Sequence, residues 1–408
     1  HGVGDKKLLG VPMSMKESFH VVGMKTTGGL VHRKEAIQQQ DAEIVRLLKA
    51  EGAIILGKTN TPALCFCQET DNKLYGRTNN PWDVSRTPGG SSGGEGALLA
   101  VGGAAAGIGS DIGGSIRFPS HFNGVIGFKS GNRQVSQGGS FPYVDLPIQE
   151  RMLGIGPMTK SVADAKFIYE IIAKHSLQRK DLSRFTLTML PRTTYPLSHE
   201  TEMMLYKVEK QIENEFETMK AVPPFYDKSA LLWQEMMSVD GGESMAELAY
   251  NSDKRHDIST FLKEITTKKS ETHRFLSWAL MGAKLFQPSK KRVQEINDFI
   301  AKGDEALDDY LEHRILIFPV YHTTALPHGR VYQEIFSIRK TFLKVMPYVA
   351  YANVWGLPSL TIPIQTDESN LPMSIQLMSN KGNEDALFQV GEFLERRNRG
   401  YLRCTNFD

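Results

Sequence analysis

Residues 87–119 read TPGGSSGGEGALLAVGGAAAGIGSDIGGSIRFP, a block in which glycine, alanine and serine crowd around Asp111 and Arg117. Small residues at this density let backbone approach closely. Apolar stretches interrupt the block, and it lacks the length and bias of a linker. It reads as the core of an active site. Two short patterns in or near it invite chemistry, and neither survives its context. Gly90, Ser92 and Gly94 satisfy G-x-S-x-G, in which a strand-to-helix elbow exposes a serine nucleophile. The preceding NNPWDVSRTP is turn-rich, and no local context marks His121, His322 or His328 as the base that Ser92 would need. Upstream, Gly52–Thr59, GAIILGKT, satisfies the phosphate-loop pattern. Helical text precedes Gly52, Ala53 to Leu56 are themselves strand-like, and Pro62 follows too soon for a helix to begin at the lysine. No anion cradle is expected there.

Working outward, LLGVPMSMKE carries a short apolar run ending in Lys16. DAEIVRLLKAEG has Asp41 as a candidate N-cap, apolar Ile44, Leu47 and Leu48, and Gly52 as a stop. AIILG then reads as a buried strand. That order favours a mixed or parallel sheet covered by helices. The run Ala97–Gly109 reads as a tightly packed core helix, well short of the roughly 20 apolar residues of a membrane span. Residues 185–315 turn rich in Lys, Glu and Met, with long helical patterns such as ETEMMLYKVEKQIENEF, and read as helical and peripheral. YANVWGLPSLTIPIQ and LPMSIQLM return to sheet-like text that rejoins the first sheet.

Composition bounds the rest. A chain of 408 residues with 40% hydrophobic content can bury a large core. Its 48 basic and 46 acidic side chains leave a charge of +2, so no overall attraction to nucleic acid is expected. Cys65, Cys67 and Cys404 are too few for a disulfide framework or a four-thiolate zinc site, which suits a reducing, intracellular compartment. The chain opens on His1 rather than methionine, which leaves room for a preceding signal or membrane anchor.

GGSSGGEGALLA, GIGSDIGGSIRFP and the upstream MSMKESF together resemble the amidase signature family, and within it the fatty-acid amide hydrolases. The likeness extends through GAIILGKTN, YGRTNNPWD, GVIGFKS and GPMTKSVADA, thins across the helical region, and returns in NVWGLPSLTIPI and LPMSIQL. It implies one α/β/α domain over residues 1–408: a large mixed sheet sandwiched between helices on both faces. The catalytic core would lie at about 1–180 and 331–408, and about 185–330 would shape a substrate channel. Carried over by position, it implies a Ser-Ser-Lys triad: Ser115 as nucleophile, Ser91 as the bridging serine after a cis peptide, and Lys16 as base. The N–H groups of Ile112, Gly113, Gly114 and Ser115 would form the oxyanion hole. Ser92, Ser110, Asp111 and Arg117 would support it, Asp111 and Arg117 as a buried ion pair or loop-holding bonds. Cys65 would border the acyl pocket. The resemblance implies chemistry without metal or other cofactor. At Ser130–Ser136 the text departs from the usual proline and G-R-V-S turn, outside the triad.

The residue types suit that chemistry. A serine hydroxyl needs a base within hydrogen-bond reach, and lysine is a base only when neutral, so Lys16 must ionise well below its ordinary pKa of about 10.4. Burial can do this. The expected substrate is a lipid amide. Short aliphatic or aryl amides, an amidotransferase-type subunit with partner chains, and a scaffold that only binds lipid are the alternatives. The segment 273–292, HRFLSWALMGAKLFQPSKKR, combines Trp278 and bulky apolar residues with flanking cations, and is expected to form a peripheral membrane cap. A homodimer stays open, because the text does not set the oligomeric state.

Overall fold

The computed structural model describes residues 6–191, 195–252, 254–337 and 341–408. Its strands are β1 (Pro12–Lys16), β2 (Ile54–Thr59), the short hairpin β3 (Asp71–Asn72) and β4 (Gly76–Arg77), β5 (Ala106–Asp111), β6 (Ile126–Lys129), β7 (Gly154–Thr159), β8 (Thr186–Met189), β9 (Glu217–Lys220), β10 (Arg314–Pro319), β11 (Ser359–Thr366) and β12 (Pro372–Met378). Apart from the hairpin they form one 10-stranded sheet in the order β2-β1-β5-β7-β6-β11-β12-β10-β8-β9. The β2-β1-β5 and β10-β8-β9 neighbours run parallel, and the pairs between them are antiparallel. Helices cover both faces, and the two largest apolar clusters pack between helices and sheet. The α/β/α sandwich is as the text implied.

The pleat of β1 begins to build the site. Successive side chains of a strand point to opposite faces, so Met13 and Met15 enter one core while Ser14 and Lys16 turn to the other side. There they meet the helix Gly93–Ala100. Lys16 pairs with Thr59 of β2, and Met15 with Ile108 of β5. The glycine-rich block therefore lies across the strand that carries the lysine.

Four expectations are corrected. Ala97–Gly109 is not one helix: it stops at Ala100, Gly102 turns left-handed at φ +84°, and residues 106–111 become β5, a strand inside the sheet. Small residues suit a close-packed helix and an interior strand equally, so composition did not separate them. AIILG is a strand but an edge one, with Ile54 and Leu56 about half exposed. Asp41 does not cap: the helix is Glu43–Ala50 with Ala42 at the cap, and Asp41 accepts from the Val22 N–H and from Lys49 Nζ. The region 185–330 is largely helical, yet β8, β9 and β10 belong to the main sheet. The strand reading of GAIILGKT stands: Lys58 lies in β2, donating to the Lys25 carbonyl and to Thr26 Oγ1.

Candidate active site

Lys16 is fully buried, and Nζ lies 2.6 Å from Ser91 Oγ, 2.9 Å from Ser110 Oγ and 3.3 Å from the Ser110 carbonyl. Burial drives its pKa below the ordinary lysine value, against the opposing pull of the neighbouring Cys65, Asp111 and Glu95. Ser91 follows a cis Gly90–Ser91 peptide and leads into the Gly93–Ala100 helix. Ser92 joins the two halves of the block: its N–H donates to the Ser115 carbonyl at 3.1 Å, and its hydroxyl reaches the Ser110 carbonyl at 3.4 Å. None of the three histidines serves it. His121 is buried between the Thr323 carbonyl and the Ser374 N–H, and desolvation pushes it down to about 4. His322 pairs with Glu334, and His328 faces the Val84 carbonyl.

The loop after β5 is held from behind. Asp111 accepts from Gly114 N–H at 2.8 Å and Ile116 N–H at 3.1 Å, from Arg117 Nε and a terminal guanidinium nitrogen at 3.0 Å each, and from Asn353 Nδ2 at 2.9 Å. Burial by itself would raise the carboxyl pKa, but the Arg117 charge and hydrogen bonds hold it well below the usual range. Arg117 in turn binds the Val349 carbonyl, Gln376 and Asn353. The pair sets the loop and does not face the cavity. Among the described residues, the backbone N–H groups of Ile112, Gly113 and Ser115 find no acceptor, whereas that of Gly114 is given to Asp111.

Ser115, Ser91, Ser110, Ile112 and Gly113 line one end of a cavity of about 230 Å³. Ser115 is 6% exposed, and among the described residues its hydroxyl makes no hydrogen bond. Leu64, Phe66, Phe141, Leu146, Trp233, Met237, Met245 and Phe342 make the cavity walls mostly apolar, and Cys65 lines it near Lys16. Every residue singled out in the sequence block thus comes to this cavity or to the network behind it. Sequence reasoning missed Glu95, which is buried, accepts from Ser14 and Thr59, and is pushed up to about 7 by desolvation. Its charge among small residues was the available signal. Asn353 and Gln376 were missed too; each is a lone amide in an apolar run.

Residues 3–388 match the model of the amidase family. The chain belongs to that family. A fatty-acid amide hydrolase 2-B of Danio rerio is 31% identical over 97% of this chain and 76% of its own length. Fatty-acid amide hydrolase 2 of Homo sapiens is 30% identical with the same coverage. In fold, the amidase superposes on a 6-aminohexanoate cyclic dimer hydrolase with a TM-score of 0.81 at 20% identity, covering 98% of this chain and 87% of the other. The peptide amidase of Stenotrophomonas maltophilia gives 0.76 at 23% identity, covering 98% and 85%.

Cutting the buried ion pair is expected to be expensive. Asp111→Asn leaves Arg117 without its counter-charge and should lower unfolding stability by about 3–5 kcal/mol in urea titrations. Because the folded carboxyl ionises below its unfolded value, the stabilisation is complete above the ordinary carboxyl pKa of about 4 and is lost as pH falls through the folded value. The stability gap between wild type and variant should therefore close only in strong acid.

Proposed function

We propose that this amidase hydrolyses fatty-acid amides through an acyl-enzyme on Ser115, with Ser91 relaying protons to and from Lys16. The observation that carries the reading is a buried, desolvated lysine 2.6 Å from a serine at the polar end of an apolar cavity. A neutral amine donates twice and accepts once. The Ser110 carbonyl and hydroxyl suit the two donations, which leaves the lone pair for the Ser91 O–H. Ser91 then takes the Ser115 proton as it passes its own to Lys16. The relay requires the Ser115 hydroxyl to come within hydrogen-bond reach of Ser91, with which it shares the cavity, and catalytic hydrogen bonds often tighten only when substrate is bound.

Attack of Ser115 Oγ on the amide carbon forms the C–O bond and puts negative charge on the carbonyl oxygen. The unpaired N–H groups of Ile112, Gly113 and Ser115 are suited to receive it, a narrower set than the four residues expected from the sequence, because Gly114 serves Asp111. The relay returns the proton to the leaving nitrogen as the C–N bond breaks. Water, deprotonated by the same relay, then releases the acid.

The apolar walls and the fatty-acid amide hydrolase relatives favour a long acyl group. The helix Arg274–Leu285 supports a route for it. Leu276 and Leu280 are buried, Ala279, Gly282, Ala283 and Phe286 line the cavity, and Trp278 and Leu285 face outward. Outward Ile258, Leu262 and Ile265 of the neighbouring helix Asp257–Thr267 extend that apolar surface. Among the described residues, no helix is long and apolar enough to cross a membrane. The proposed cap therefore rests in the lipid interface and draws on two helices, not on residues 273–292 alone. Of the flanking cations, Arg292 is bound by Glu235.

Against amides of increasing acyl length, kcat/KM should rise with chain length; preference for acetyl or aryl amides would overturn the lipid reading. A fluorophosphonate should add once to the wild type and not to Ser115→Ala, and an adduct on Ser92 would overturn the assignment. Amide hydrolysis should rise as pH passes the Lys16 ionisation, at a pH below the ordinary lysine value, and be lost in Lys16→Ala. The double variant Ile258→Glu/Leu262→Glu, at two well-exposed positions, should lose co-sedimentation with anionic vesicles at an unchanged melting temperature. Unchanged vesicle binding would rule out the cap.

A further inference from the structure

The Ser229–Met237 helix, in the region where the sequence likeness is weakest, sends one polar atom to the oxyanion loop. Trp233 Nε1 donates to the Ile112 carbonyl at 2.7 Å. The indole also lies against Gly113, where an added Cβ would come within 2.6 Å of the ring, and it meets Phe342 at 6.0 Å between ring centres. The Ile112–Gly113 peptide is not among the cis bonds, so it is trans, and its C=O and N–H point in opposite directions. Tying down the carbonyl therefore aims the Gly113 N–H. The next peptide is tied at both ends: Gln68 donates to the Gly113 carbonyl at 3.3 Å, and Gly114 N–H goes to Asp111. Trp233 is thus the contact that orients the Ile112–Gly113 peptide, whose N–H is one of the three in this turn left without an acceptor among the described residues.

We infer that Trp233 is a positioning residue for amide hydrolysis: its indole N–H holds the Ile112 carbonyl so that the Gly113 N–H faces the developing oxyanion. The inference rests on the assignment of Ser115 as nucleophile and of the 112–115 loop as oxyanion site. Preorganised donors act on charge that appears in the transition state. Loosening the peptide should therefore reduce turnover and leave ground-state binding alone. A residue that only walled the cavity would do the reverse.

The test compares wild type with Trp233→Phe and with a variant carrying β-(3-benzothienyl)alanine at position 233, which keeps the bicyclic shape and replaces the N–H by sulfur. With dodecanoyl 4-nitroanilide as substrate, kcat should fall about 3- to 10-fold in both, the range expected for one hydrogen bond, with KM within about 2-fold. The inhibition constant of a dodecyl trifluoromethyl ketone, whose adduct with Ser115 carries the oxyanion, should rise by the same factor. A raised KM with unchanged kcat, or full activity in the benzothienyl variant, would overturn the inference. Ser115→Ala separates the two levels. If it still hydrolyses the anilide, the assignment of the site fails; if it is inactive while the Trp233 variants keep their kcat, only the role of Trp233 falls.

Discussion

The buried pair Asp111–Arg117 ties together segments that are far apart in the chain. Two charges out of water are tolerable only when nearly every donor and acceptor is used, and here Asn353, Gln376, the Val349 carbonyl and two loop N–H groups complete the set. The pair thereby joins the end of β5, the start of the helix Arg117–Asn123, the helix Pro347–Val354 and β12. Its consequence for the loop is indirect. By consuming the Gly114 and Ile116 N–H groups on one side, it leaves those of Ile112, Gly113 and Ser115 unpaired.

The same low-dielectric region treats its other ionisable groups differently. Asp111 has its own cation and stays ionised, whereas Lys16 and Glu95 have hydroxyl partners, and burial pushes both toward neutrality. Desolvation lowers a lysine pKa and raises a glutamate pKa. One wall of the sheet therefore holds a charged pair and, close by, an amine whose charged form is disfavoured by burial. The pleat of β1 is the device that sends Lys16 here while Met13 and Met15 fill the opposite core.

Around this centre, the cavity is built from parts of very different sequence character. Its polar end belongs to the glycine-serine block, while Trp233, Met237, Ala279, Phe286 and Phe342 come from the helical region and from just beyond it. The helix Arg274–Leu285 has distinct faces for the core, the cavity and the exterior. A periodicity of 3.6 residues makes such a division possible in a single helix. It also means that the apolar residues of 273–292 do not share one side: Leu276 and Leu280 point inward.

The sequence by itself determined the fold class and the chemical content of the site. The strand and helix alternation indicated a helix-covered sheet, and the resemblance of the glycine-serine block and MSMKESF to the amidase signature family named Lys16, Ser91, Ser92, Ser110, Asp111 and Ser115, residues whose types suit that chemistry. It did not determine that Ala97–Gly109 breaks into a helix and an interior strand, since alanine and glycine fit both. Nor could it assign Gly114 to Asp111, Asn353 to the ion pair, Glu95 to the wall near Lys16, or Trp233 to the Ile112 carbonyl. Those partners are separated along the chain by as few as 3 and as many as 242 residues, and each contact needs a particular register, crossing or loop direction. Hydrogen bonds are short and directional, so which N–H remains free to meet substrate is decided only when the sheet and helices have closed around the loop.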